Sequence, residues 1–255
     1  MEKFNPLIVA LDIDTFDQAQ KLVETLGDLV DTYKVGSQLF TVCGPQVIDY
    51  LHTQNKKIFL DLKFHDIPNT VASAVAAAVQ LKVFMLTVHI QGGREMLEAA
   101  VQSARKTSQK LGIEPLKIIG VTVLTSVGAQ DKPAAHSATQ NKEKRLPGLL
   151  TTQNKDDTIG RVVYQRAQLA KEAGLDGVVA SSQETAEIRK ALGRDFLIIT
   201  PGIRPAPSSV DDQKRVATPA AAIASGSTFL VVGRPIVQAA NPHQAAVEIL
   251  KEIKK

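Results

Sequence analysis

Lys57-Ile58-Phe59-Leu60-Asp61-Leu62-Lys63-Phe64-His65-Asp66-Ile67-Pro68-Asn69-Thr70 passes from an apolar run into dense charge and then into a helix start. Read as a β-strand, the run sends successive side chains to opposite faces, so Asp61 and Lys63 project together while Leu62 turns away. Pro68 cannot continue a strand and suits the first turn of a helix. The strand therefore ends near Asp66, a helix begins at Ile67 or Pro68, and two carboxylates and an ammonium collect at the carboxyl end of the strand.

The same grammar repeats outward in both directions. Near-continuous apolar runs at 7–12, 31–36, 57–63, 83–89, 116–124, 176–181, 196–200 and 228–232 read as parallel strands buried on both faces. Stretches of helical period lie between them at 15–26, 45–54, 68–80, 93–110, 159–173, 183–192, 218–225 and 242–253. Gly44-Pro45 and Thr218-Pro219 mark helix starts, and Gly27, Gly112, Gly174, Gly193 and Gly226 fall where helices should stop. Eight strand-then-helix units in 255 residues predict an α/β fold, a (β/α)8 TIM barrel occupying 1–255 as a single domain. A doubly wound open sheet is the alternative. The segment 127–158, rich in Gln, Asn, Lys, Thr, Ala and Pro, breaks the rhythm and reads as an extended loop insertion without chemical role, with a surface excursion pinned by Leu146, Leu149 and Leu150, an extra short helix or partial disorder as its alternative forms.

Composition narrows the function classes. A net charge of +4, spread along the chain rather than concentrated, gives little support to nucleic-acid binding and suits a small anionic ligand better. Cys43 is the single cysteine, so no intrachain disulfide and no cysteine-based metal site can form, and a reducing cytoplasmic setting is expected. Met1 to Pro6 runs directly into Leu7-Ile8-Val9-Ala10-Leu11 without a targeting-peptide pattern, and the alanine-rich 71–90 stretch, interrupted by Ser73, Gln80, Lys82 and His89, reads as helix plus buried strand rather than a membrane span.

In a parallel barrel every strand delivers its carboxyl end to one rim, where active sites form. Strand 1 ends in Asp12, strand 2 carries Lys34, and strand 3 ends with Asp61, Lys63 and Asp66. Side by side, these make an alternating array of carboxylates and ammoniums in which each charge stabilises its neighbours. The structural alternative is an ion-pair network that merely closes the rim. Strands 7 and 8 run into Thr200-Pro201-Gly202-Ile203-Arg204-Pro205 and Val232-Gly233-Arg234-Pro235, the place of the habitual phosphate pocket of this architecture. Arg234 adds a fork of donors matched to phosphate oxygens. Thr125 and Ser126 at the end of strand 5 could read polar substrate edges, or simply form a turn. His65 and His89, near strand ends but without a nucleophile or carboxylate partner at motif spacing, read as structural. A metal held by Asp12, Asp61, Asp66 and His89 is disfavoured, because Lys34 and Lys63 compete for the same carboxylates.

These residues resemble, over nearly the whole chain, the orotidine 5'-phosphate decarboxylase family. The resemblance is carried by Val9-Ala10-Leu11-Asp12, Lys34-Val35-Gly36, Phe59 through Thr70, Thr87-Val88-His89, Leu124-Thr125-Ser126, Thr200 through Pro205, Asp212-Gln213 and Val232 through Pro235. It implies a cofactor-free, metal-free decarboxylation of orotidine 5'-phosphate to UMP in de novo pyrimidine synthesis. It implies Lys63 as the proton donor to C6 and Asp61 beside the scissile carboxylate, with Lys34 and Asp12 on ribose hydroxyls. Thr125 and Ser126 would face the pyrimidine, Gln213 would bridge base and phosphate, Gly233 and Arg234 would hold the phosphate, and Arg204 would open a closing loop. Asp66 would help preorganise the Lys63 ammonium, and Asp66 and Thr70 would reach the neighbouring site of a homodimer with shared active sites. Partners are otherwise the nucleotide substrate and product, with no nucleic acid and no membrane. Ser182 stands where many relatives have proline, and Pro207 where a glycine is common. A metal-dependent or Schiff-base sugar-phosphate lyase and a non-catalytic nucleotide-phosphate binder are the rival readings.

Overall fold

Residues 4–124, 155–205 and 216–254 are described by a computed structural model of the chain. Their apolar runs become the strands β1 (Leu7–Ala10), β2 (Thr32–Gly36), β3 (Lys57–Phe64), β4 (Met85–His89), β5 (Lys117–Val121), β6 (Gly177–Val179), β7 (Leu197–Thr200) and β8 (Phe229–Val232). All pair in parallel, in sequence order, and β8 closes back on β1 through Leu7 opposite Leu230. Closure abolishes both edges and rules out the open doubly wound sheet.

The alternation of each strand divides the core in two. Outward residues such as Val9, Tyr33, Ile58, Leu86 and Val178 pack beneath the helices. Inward residues Ile8, Ala10, Phe59, Met85, Ile119, Ile199, Phe229 and Val231 fill the barrel interior. This inner layer is a packed floor rather than a pore, and above it a cavity opens at the carboxyl-end mouth.

The helical segments are α1 (Phe16–Leu26), α2 (Ser37–Cys43), α3 (Gln46–Thr53), α4 (Pro68–Gln80), α5 (Gly93–Leu111), α6 (Lys155–Glu172), α7 (Ser182–Leu192), α8 (Pro219–Ala224), α9 (Arg234–Val237) and α10 (Pro242–Ile253). Local chemistry sets their ends. Thr15 and Gln18 form a reciprocal capping box on α1, and Thr218 and Asn241 cap α8 and α10 ahead of a proline in the first turn.

Several boundaries differ from the sequence expectation. Strand β1 stops at Ala10, so Asp12 belongs to the loop that follows. Strand β3 stops at Phe64, leaving His65, Asp66 and Ile67 as the connection into α4. Helix α6 begins at Lys155, four positions before the helical period becomes readable, so the end of the 127–158 stretch is helix, while 127–154 lies outside the described residues. Helices α2 and α9 are additions: each is a short segment just past a strand end, and seven or four residues are too few to display a 3.6-residue period. Ser182 occupies the first position of α7, where proline is also accommodated, and Ser181 caps that helix by accepting from the Gln183 N–H at 3.3 Å.

Candidate active site

The mouth of the barrel opens into a cavity of about 490 Å³ that is charged on one wall and apolar on the other. Asp12, Lys34, Asp61 and Lys63 form the charged wall, and Val121, Val123, Val179, Ile199 and Pro201 face them. Gly202, Arg204, Gly233, Arg234 and Gln238 also line it, so Lys63 and Arg234 serve the same cavity. Its size falls within the range of small-molecule sites.

The charged wall is a continuous chain of ion pairs. Lys34 Nζ lies 2.8 Å from Asp12 Oδ1 and 3.5 Å from Asp61 Oδ2, and Lys63 Nζ lies 2.9 Å from that same Asp61 oxygen. Register explains the convergence. Lys34 pairs with Phe59 and Gly36 with Asp61, so the long lysine stem climbs from one level below to meet the carboxylates at the rim. Gly36 makes room for it, since a Cβ there would stand 3.1 Å from Lys34 Nζ. Lys34 and Asp61 are 9% and 8% exposed, whereas the Asp12 side chain is more than half exposed. Burial alone would neutralise such groups. For Asp61 burial pulls the carboxyl upward, but Lys34, Lys63 and hydrogen bonds from Lys63 and Thr87 outweigh it and hold it below the ordinary carboxylate range. For Lys34 burial pulls downward, and Asp61 and Asp12 outweigh it, leaving the ammonium above its ordinary value.

Lys63 reaches Asp61 by a different backbone route from simple strand alternation. Between β3 and β4 the register runs from Leu60 opposite Leu86 to Phe64 opposite Val88, so β3 carries extra residues in a bulge that spans Asp61, Leu62 and Lys63. Lys63 has φ +52°, in the left-handed region that side chains with a Cβ disfavour. Its N–H, taken out of the ladder, donates to Thr87 Oγ1 at 2.8 Å, and the same hydroxyl donates to Asp61 Oδ1 at 3.0 Å. Sequence reasoning assigned no role to Thr87, because a threonine inside Met85-Leu86-Thr87-Val88-His89 reads as an ordinary strand former. The available signal was its parity with Met85, which puts it on the inner face.

Other expected site residues separate from this wall. Asp66 makes no ion pair with Lys63 within the chain; it is exposed, and its carboxylate accepts only from the Ile67 N–H, at 2.6 Å, among the described residues. The expectation that Asp66 preorganises Lys63 fails within one subunit, because the bulge turns the lysine inward while the chain carries Asp66 out toward α4. Thr70 is likewise exposed, and between them Ile67 is 66% exposed. Arg204 is buried, donating to the Ile203 carbonyl at 3.0 Å. Gly202 precedes it with φ +80°, a turn that glycine permits. Gly233 leads into α9, which is a single turn, so its macrodipole is slight and attraction for an anion rests on the arginines. Thr125, Ser126, Gln213 and Pro207 lie outside the described residues.

His65 and His89 stack on one another with ring centroids 5.3 Å apart. Burial, together with the like charges of His65, Arg166 and Lys63, pushes His89 down to about 4, so it is neutral near pH 7. Among the described residues no three carboxylate, imidazole or thiol groups gather as a metal site, and no helix is long and apolar enough to cross a membrane.

A closed (β/α)8 barrel with an ionised Asp/Lys array facing an arginine-lined recess at its carboxyl-end mouth defines an enzyme for a small anionic substrate. The family described as orotidine 5'-phosphate decarboxylase / HUMPS matches residues 5–249. The chain is 42% identical to the orotidine 5'-phosphate decarboxylase of Syntrophomonas wolfei over 255 residues, covering all of both chains. It is 44% identical to that of Hydrogenovibrio crunogenus over 247 residues, 97% of this chain and 93% of the other. The crystal structure of orotidine 5'-phosphate decarboxylase from Lactobacillus acidophilus superposes with a TM-score of 0.79 at 37% identity, covering 99% of this chain and 100% of that one. The chain belongs to the orotidine 5'-phosphate decarboxylase / HUMPS family.

Proposed function

We propose that this chain decarboxylates orotidine 5'-phosphate to UMP, the last step of de novo UMP synthesis, without metal or organic cofactor. The observation that carries the chemistry is the ammonium of Lys63 held 2.9 Å from a buried, ionised Asp61 in the cavity that Arg234 also lines. Loss of carbon dioxide from C6 leaves an electron pair in the ring plane, orthogonal to the π system, where the ring cannot delocalise it. Fixed positive charge must meet it, and Lys63 supplies that charge and then the proton. Asp61 orients the ammonium through their 2.9 Å contact. Lys34 and Asp12 hold the ribose hydroxyls, Thr125 and Ser126 face the base, and Gln213 spans base and phosphate. Gly233, Arg234 and Arg204 take the phosphate at the far end, so binding energy from a remote group supports chemistry at C6.

The site is completed by a second copy of the chain. Asp66 and Thr70 project outward beside the exposed Ile67, an apolar and acidic patch suited to insertion at the mouth of a partner barrel. A homodimer with shared sites follows, in the reducing cytoplasm that suits a single cysteine.

A Schiff-base lyase is the rival, and forming the imine would dismantle the Lys63–Asp61 pair. The deciding experiment is an absorbance assay on orotidine 5'-phosphate with chelator present. The expected result is stoichiometric UMP and carbon dioxide, unaffected by chelator, with no borohydride-trapped adduct. Loss of turnover on chelation, or a trapped lysine, overturns the reading. Arg234→Ala should raise KM by about 10- to 100-fold, the worth of one charged hydrogen-bonding partner, with a smaller change in kcat. A steady-state comparison with wild type checks it.

A further inference from the structure

The bulge at the end of β3 puts the reacting lysine on an unfavourable stretch of backbone, and something must hold it there. A Lys63 N–H that has left the ladder and an Asp61 carboxylate sunk in the wall are both groups that cannot be left unsatisfied in a dry site. One hydroxyl serves both. Thr87 is fully buried on β4, with its Oγ1 2.8 Å from Lys63 N and 3.0 Å from Asp61 Oδ1. An N–H can only donate and an ionised carboxylate can only accept, so the direction of the relay is determined: Lys63 N–H to Thr87 Oγ1, and Thr87 O–H to Asp61.

We propose that Thr87 is a positioning residue for the decarboxylation, clamping the left-handed backbone of Lys63 and the carboxylate of Asp61 into one unit so that the ammonium stands where C6 develops negative charge. It touches neither substrate nor reacting atom. Its place on β4, paired with Ile119 of β5, ties the bulge to the hydrogen-bonded ladder of the barrel. The β-branched side chain matters as well: its restricted rotamer holds the hydroxyl toward β3 without further support.

The inference rests on Lys63 being the reacting group, so Lys63→Ala is measured alongside. Thr87→Val keeps the shape and removes the hydroxyl. Its kcat for orotidine 5'-phosphate should fall on the order of a hundredfold, the scale of an ångström-sized misplacement of a catalytic group. KM and UMP affinity should stay close to wild type, because the phosphate and ribose contacts are intact, while the melting temperature should fall by a few degrees, because the Lys63 N–H and the Asp61 carboxylate each lose a buried partner. Thr87→Ser should recover kcat to within about fivefold of wild type, since the relay is restored with a freer rotamer. Overturning results are a Thr87→Val kcat within about threefold of wild type, or a Thr87→Ser variant as impaired as Thr87→Val. If Thr87→Val does not fold, Thr87→Cys, similar in size with a weaker donor and acceptor, takes its place: a kcat equal to wild type overturns the proposal and a selective loss in kcat supports it. Activity retained by Lys63→Ala marks instead the failure of the catalytic assignment itself.

Discussion

Lys63→Ala should leave a folded protein that binds UMP and has lost at least about four orders of magnitude in kcat, since both the fixed charge and the proton donor disappear together. The fold tolerates the change for identifiable reasons. The Lys63 side chain is 38% exposed, so little core is lost, and Asp61 keeps Lys34 at 3.5 Å and the hydroxyl of Thr87 at 3.0 Å. The carboxylate therefore does not become an isolated buried charge, which would be severely destabilising. Alanine also inherits the φ of +52° with a Cβ of its own, so backbone strain is unchanged. Lys63→Arg should not rescue: the guanidinium is bulkier, and it does not release a proton at working pH. Single-turnover absorbance decay, a UMP titration and a melting curve measure the three quantities. A variant that turns over at a tenth of the wild-type rate would remove Lys63 from the chemistry.

Mixing two inactive variants should create activity where neither has any. In the proposed shared-site dimer, the Lys63→Ala defect lies in the subunit's own wall and the Asp66→Ala defect in the group lent to the partner. Random reassortment makes half the dimers hybrid, and each hybrid holds one site with both residues intact and one with neither, so about a quarter of wild-type activity returns. The basis is the outward course of Asp66, whose carboxylate accepts, among the described residues, only from the Ile67 N–H, with the exposed Ile67 beside it. Co-expression or mixed refolding followed by the same absorbance assay gives the answer. Zero recovery from subunits that demonstrably exchange would confine each site to one chain.

The barrel could be foreseen because its units are local. Each strand is an apolar run stopped by turn residues, the long helices have their period, α1 and α10 have side-chain caps, and Pro68, Pro219 and Pro242 stand at helix starts. Short elements such as α2 and α9 carry too few residues for a period, and their boundaries emerge only from packing at the rim. The residue types of the site could be foreseen for the same reason: charge at the end of a buried strand is conspicuous.

Chain order and residue chemistry, then, were enough to predict eight strand-and-helix units, with Asp12, Lys34, Asp61 and Lys63 at the strand ends and Arg204 and Arg234 toward the far end of the chain, while closure of the barrel over an open sheet was decided by the pairing of β8 with β1. Which of them touch is a matter of register between strands, which depends on contacts far apart in sequence. Only the folded molecule shows that Lys34 rises from one level lower to meet Asp61, that Lys63 arrives through a bulge rather than by alternation, and that Asp66 turns away. Thr87 gained its importance from that bulge alone, because an N–H expelled from a ladder needs an acceptor and the nearest one belonged to another strand.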